Sequence, residues 1–231
     1  MKYSNNNREI EVFFRDNYNF KYIIQLNGAC QGLFFLLKFL NLNSKIAVPN
    51  IVCPELIKTI IDAGYIPFFL NPNPVNGNPD INEWKKSRDN GCKVALVTHL
   101  YGGVDNVSKI KEIYAGSGMF VIDDAAQALG GKFNEGMCGS LGDFGLISFN
   151  ATKHIEHGGG LLLTNSSDLV DFVFMNKKNS LVWKSNSYIK KYKEEFYTKQ
   201  KFFFESQNLD IFKGLIEKIP PINKRVIIGN F

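Results

Sequence analysis

Short apolar runs recur along the chain between glycine-, proline- and asparagine-rich breaks, with longer amphipathic stretches spaced among them. Residues 32–42 predict a buried helix, 45–48 a strand, 54–63 a helix closed by Gly64, and 66–70 a second strand. Proline at the start of the 54–63 helix lacks only an N–H that would be orphaned there, and glycine past its end accepts the turn that stops it. The segment 71–80, NPNPVNGNPD, predicts a loop rather than a domain linker. Residues 93–97 predict a strand, Val107, Ile110 and Tyr114 mark one apolar face of a helix, and another strand begins at Met119. Its core, 120–122, ends in Asp123 and Asp124. Residues 143–149 lead through a further strand into Ser148 and then Ala151, Thr152 and Lys153; 160–164 predict the next strand and 169–175 the helix after it. Strands alternating with helices predict an α/β fold: a mainly parallel sheet with helices on both faces. No internal repeat is visible.

The remainder reads differently. Residues 1–184 form the expected large domain, whereas 185–231 show only two helical patterns, 188–205 and 209–218, before Pro220, Pro221 and a final VIIGNF. That ending predicts a helical tail cut short at the start of a further carboxyl-terminal domain.

Composition narrows the class. A chain of 231 residues, 45% hydrophobic, can bury a sizeable core as one or two domains. Its start, MKYSNNNREI, is polar and lacks the apolar region of a signal peptide, and the longest apolar run is too short to span a bilayer. Cys30, Cys53, Cys92 and Cys138 are scattered without close pairing, which predicts reduced thiols and a cytoplasmic protein. The net charge of +5 is no nucleic-acid footprint, because Lys190, Lys191 and Lys193 alternate with Glu194 and Glu195 as on a solvated helix face. A modest positive balance suits a small anionic substrate. His154 and His157 have no metal-site spacing with any cysteine, so no metal is expected.

The candidate chemistry lies between residues 121 and 164, where an acid, a hydroxyl and a lysine stand at strand ends, the places at which open α/β sheets gather ligands. Singly, each has a plainer reading: Asp124 caps a helix beginning at Ala125, Asp123 is a solvated turn residue, and Lys153 is one surface cation among 27 Lys+Arg. Together, VIDDAAQALGG followed by GSLGDFGLISFNATKH resembles the signature of the sugar-nucleotide aminotransferases of the DegT/StrS type, pyridoxal phosphate (PLP) enzymes of fold type I. The likeness runs more weakly from about Tyr22 to about Asp168. It implies that Lys153 is the catalytic Schiff-base lysine, Asp124 the partner of the pyridine nitrogen, Gln127 a neighbour of the ring hydroxyl and Ser148 a phosphate ligand. The residue types suit those tasks: a carboxylate facing the ring nitrogen keeps it protonated, and an amine can bond a carbonyl and then move a proton.

Upstream, Gly28, Ala29 and Cys30 open the apolar run at Leu33, and such helix starts bind phosphate through free N–H groups. The family has a glycine-threonine turn here that cradles the PLP phosphate; Ala29 replaces the threonine, which preserves a backbone contact and removes a hydroxyl one. A tight turn alone is the other reading. Cys53 stands where many relatives stack an aromatic ring on the pyridine; its sulfur can pack against a ring, or the residue is a buried structural cysteine. Thr98-His99-Leu100-Tyr101-Gly102 resembles the family's VHLYG turn, with His99 either touching substrate or cofactor or acting as a satisfied structural donor.

The resemblance implies a ping-pong transamination in which an amino donor, glutamate, loads the cofactor and a keto nucleotide-sugar is then aminated, by a homodimer with its sites at the interface. Two alternatives stand beside it. One is a truncated, non-catalytic PLP-binding homologue or scaffold. The other is a PLP-dependent sugar dehydratase, whose chemistry the family runs with histidine in place of the lysine; Lys153 argues against it, and His154 is offset by one.

Overall fold

The computed structural model describes residues 5–134, 136–150, 152–153 and 158–177. In chain order the elements are α1 (Asn5–Tyr18), β1 (Tyr22–Leu26), α2 (Ala29–Leu40), β2 (Lys45–Pro49), α3 (Pro54–Asp62), β3 (Ile66–Leu70), α4 (Ile81–Asp89), β4 (Cys92–Thr98), α5 (Val107–Tyr114), β5 (Phe120–Asp124), β6 (Lys132–Phe133), β7 (Gly136–Met137), β8 (Phe144–Ser148), β9 (Gly160–Thr164) and α6 (Ser167–Lys177). Seven strands make one sheet in the order β1-β9-β8-β5-β4-β2-β3, and β6 and β7 form a separate short pair. β8, β5, β4, β2 and β3 run parallel, while β9 lies antiparallel to both β8 and β1.

Strands covered on both faces must be apolar throughout, and β8 and β9 are buried at every residue. Alternation sends Val48, Leu96, Ile122, Leu146 and Leu162 to one face, where they pack beneath α2 and α3. Ala47, Ala95, Val97 and Val121 meet Trp84 and Ile110 on the other face. α1 closes that second side over β8 and β9, with Phe14 and Tyr18 against Ile147 and Leu163. α2 approaches the sheet closely because Gly32 has no side chain: a Cβ there would lie 3.2 Å from Leu146 Cδ2 and 3.3 Å from Leu162 Cβ.

The strands expected at 66–70 and 160–164 form as read, and the helix at 54–63 ends one residue early with Gly64 at φ +92°. α2 begins three residues before the expected start because Gly28, not Gly32, is its N-cap. α4 went unread: INEWKKSRD is polar, and its hold on the sheet comes from the fully buried Trp84 together with Ser87. The helix proposed as Asp124's plain partner does not form. Ala128 N–H returns to Ala125 O at 3.0 Å and Gly131 N–H to Ala128 O at 2.9 Å, a run of turns that feeds the chain into β6. A first compact unit spans Met1–Met175. The helices expected at 188–205 and 209–218, and His154 and His157, lie outside the described residues. Among the described residues no helix is long and apolar enough to cross a membrane, and no three metal-binding side chains cluster.

Candidate functional site

Three neighbouring parallel strands end in polar residues: β4 in Thr98, β5 in Asp124 and β8 in Ser148. Thr98 is in register with Asp124, and Asp124 with Leu146, two residues before Ser148, so alternation puts all three side chains on the α2 face. The amino end of α2 lies against the same edge. Gly28 caps it with an extended backbone, and its carbonyl accepts from Gln31 N–H at 3.1 Å and Gly32 N–H at 3.3 Å. Ala29 and Cys30 occupy the first helical positions, where N–H groups have no intrahelical acceptor and the dipole favours an anion.

Gly160, the register partner of Ser148, makes this approach possible. A Cβ on it would meet Ala29 N at 2.5 Å and Ile147 O at 2.6 Å, both backbone, so a side chain there would push α2 away from the β8–β9 pair. A Cβ on Gly28 would lie 3.5 Å from Asn150 Nδ2, the amide that overhangs the cap. Gly28, Ala29 and Ser148 thus meet at one strand end, an approach that depends on Gly160 and that no sequence motif disclosed.

Lys153 lies in the arc between β8 and β9. The arc is tied at its base by Phe149 N–H to Gly159 O at 3.0 Å and Gly158 N–H to Phe149 O at 2.7 Å, and Lys153 N–H donates to Asn150 O at 2.9 Å. Asp124 is buried. Its Oδ1 accepts from Ala126 N–H at 2.9 Å. Burial pushes its carboxyl up to about 6, against the Ala126 N–H and the charge of Lys153, which pull it down.

Asp123 lies on the opposite face and is fully engaged. Oδ1 is 2.7 Å from His99 Nε2, and Oδ2 accepts from Leu141 N–H at 2.9 Å. His99 Nδ1 accepts the Asp105 N–H at 3.0 Å. Burial pushes the imidazole down, while the hydrogen bonds to Asp123 and Cys138 raise it more, to about 10. A second proton on Nδ1 would nevertheless oppose the Asp105 N–H, donor against donor. The geometry therefore assigns the neutral ring with Nε2–H donating to an ionised Asp123. Asp123 is thus not the solvated turn residue of the plain reading: both carboxylate oxygens replace water with protein donors. His99 sits in a closed network with no exposed surface.

The remaining sequence candidates sit around this row. Gln127 is half-buried at the rim, its Oε1 accepting Tyr101 N–H at 3.1 Å; Tyr101 itself is left-handed at φ 50° and exposed. Cys30 is half-buried, and burial pushes its thiol up to about 12, with Cys53 and Asp124 adding to the rise. Cys53 is exposed as the N-cap of α3, which rules out its reading as a buried structural residue: caps stand outside the helix in the turn that follows β2. The structure therefore brings Gly28, Ala29, Cys30, Asp124, Ser148 and Lys153 to one end of the sheet, with Gln127 and Cys53 at its margin.

A sequence model of the DegT/DnrJ/EryC1/StrS aminotransferase family matches residues 1–200. The chain belongs to this family. It is similar to the GDP-perosamine synthase of Caulobacter vibrioides, 28% identical over 164 residues that make up 70% of this chain and 44% of that protein. It also matches the pleiotropic regulatory protein of Geobacillus stearothermophilus, 35% identical over 115 residues, 49% of this chain and 31% of that one. Among solved structures, an aminotransferase from Psychrobacter cryohalolentis superposes with TM-score 0.68 at 23% identity, covering 74% of this chain and 44% of that one. An E. coli GDP-4-keto-6-deoxy-D-mannose-3-dehydratase with bound hydrated PLP gives TM-score 0.66 at 20% identity, covering 72% and 45%. These likenesses fix the fold as that of the fold-type-I large domain. The chain spans less than half the length of the curated relatives named here.

Proposed function

We propose that this member of the family binds PLP and transfers an amino group, from glutamate, to the keto carbon of a nucleotide-linked sugar. The observation that carries the reading is the Asp124 carboxylate: buried, set in one row with Ser148 and the start of α2, and within electrostatic range of Lys153. A buried carboxylate is costly while ionised unless a cation faces it.

The donor set fits PLP. Asp124 would hold the pyridine nitrogen, Lys153 the aldehyde carbon, and Ser148 with the N–H groups of Ala29 and Cys30 the phosphate. When bound, the cofactor supplies an electron sink for the substrate α-carbon. Asp124 keeps a proton in place on the ring side by its negative charge, which requires it to be ionised, above about pH 6 in the unliganded chain. Lys153 would carry the proton that must move between substrate and cofactor carbons, and its backbone is held near the end of β8 by Lys153 N–H to Asn150 O. The Gly28 turn orients the anionic end. Half-buried Gln127 borders the ring edge, and the packing of α2 over β8 and β9 excludes water from below.

The reading extends to a cytoplasmic homodimer whose large domain covers 1–184. Free Cys30, Cys53, Cys92 and Cys138 suit a reducing compartment. The test is chemical. The chain is incubated with PLP, its visible spectrum recorded, and the complex reduced with borohydride before peptide mapping. The label should fall on Lys153 and vanish in Lys153→Ala, which should remain folded. A label on another lysine, or none on a folded chain, defeats the reading.

A further inference from the structure

Among the described residues, five buried side-chain atoms have no hydrogen-bond partner: Tyr18 Oη, Asn78 Oδ1, Trp84 Nε1, Thr98 Oγ1 and Asp105 Oδ2. Four are set away from the row. Tyr18 and Trp84 belong to the opposite face of the sheet, Asn78 to the loop after β3, and Asp105 to the backbone that serves His99. Thr98 Oγ1 alone stands in the strand-end row, at a residue only 6% exposed, in register with Asp124 and on its face. An unpaired buried hydroxyl costs more than the valine of the same shape would, so its partner is to be sought in what binds there.

We propose that Thr98 is a cofactor-contacting residue whose hydroxyl hydrogen-bonds the ring oxygen of bound PLP. This rests on the PLP reading above and on strand order. β5 lies between β8 and β4. In a 3-hydroxypyridine the phosphate-bearing carbon and the hydroxyl-bearing carbon flank the aldehyde carbon on opposite sides of the axis through the ring nitrogen. With the nitrogen on Asp124 and the phosphate toward Ser148 on β8, the ring oxygen faces β4, whose last residue is Thr98. The functional groups agree: with nitrogen, aldehyde and phosphate taken by Asp124, Lys153 and Ser148, the ring oxygen is the polar atom left on the ring, and Thr98 Oγ1 is the unpaired buried hydroxyl of the strand-end row. Gln127 reaches that edge from the rim, where its Oε1 is already bonded to Tyr101 N–H.

The experiment compares wild type, Thr98→Val and Thr98→Ser in spectroscopic titrations with PLP and with 3-deoxypyridoxal 5′-phosphate, which keeps nitrogen, aldehyde and phosphate but lacks the ring oxygen. Thermal unfolding confirms that each variant is folded. Thr98→Val should weaken PLP binding about fivefold and leave the deoxy analogue unchanged, and Thr98→Ser should restore PLP binding. Equal loss with both ligands would mean a packing role, and no loss with PLP would mean no contact; either overturns the assignment while wild-type uptake of PLP preserves the cofactor reading. A folded wild-type chain that takes up neither ligand overturns both.

Discussion

Asp123 and Asp124 leave β5 on opposite faces of the sheet, and the two faces treat the same side chain differently. Toward α5, Asp123 has His99 on one oxygen and Leu141 N–H on the other, and the histidine is in turn held by Asp105 N–H. Toward α2, Asp124 accepts from Ala126 N–H, with Lys153 near enough to act on it through charge. Burial is alike; the partners are not. A carboxylate closed into a histidine network contributes to the fold, whereas one that burial raises to about 6 costs stability once ionised, so on the proposed reading the difference separates scaffold from site at adjacent residues.

The widest separation should come from Asp124→Asn. The amide cannot hold a proton on the ring, so 2-oxoglutarate released from glutamate in a single half-turn should fall by roughly 100-fold. An unimpaired half-turn would remove Asp124 from the chemistry. Asp123→Asn should do the reverse. The amide has one acceptor for two donors, so its NH2 faces either His99 Nε2–H or Leu141 N–H; this should cost roughly 2–3 kcal/mol and lower the Tm by roughly 5–10 °C, while the folded protein still takes up PLP and still releases 2-oxoglutarate. Equal catalytic losses from the two variants would erase the distinction.

The unliganded chain should also report the cost through pH. Asp124 is raised from 3.8 to about 6 and Asp105 from 3.8 to about 7. Between those values the native state binds more protons than the unfolded one, so stability is greatest below pH 3.8 as far as these groups act, declines as pH rises, and levels off above about 7. The Asp124 share is about 3 kcal/mol at most. Melting curves of wild type and Asp124→Asn between pH 4 and 8 check this, and the variant should gain on the wild type as pH rises. Parallel curves would show that Asp124 is not strained. The smallest effect is expected from Ser148→Ala, whose Oγ makes only a 3.4 Å contact with Asn150 N. PLP affinity should drop about tenfold with the melting temperature unmoved; a loss of stability instead would move Ser148 to the scaffold side.

Much of this was legible in the residues because the α/β pattern is written in local runs. β3 and β9 follow from continuous apolar pentads, and α3 from its proline and glycine ends. α4 was hidden because one fully buried Trp84 anchors a helix that otherwise reads as solvent-exposed. The run of turns after Asp124 was masked by an alanine-rich segment with good intrinsic helix propensity, overridden by the path into β6. Asp124, Ser148 and Lys153 stood out through order and spacing. The His99–Asp123 bond and the idle hydroxyl of Thr98 depend on which strands are neighbours, information that no window of sequence contains. The need for glycine at 160 is likewise a meeting of α2 with β8, residues far apart in the chain.

β9 is the one strand of the sheet that runs against its neighbours, and this has a kinetic side. A parallel connection would carry the chain off the strand ends and across a face of the sheet. Here it turns back beside β8, so the arc bearing Lys153 is a short tether with both feet on one strand pair. If Lys153 has the role proposed for it, an amine on such a leash stays within reach whenever it lets go of its partner, at an effective concentration that free solution cannot match. On that reading, lengthening the arc would dilute the amine without altering any group it acts on.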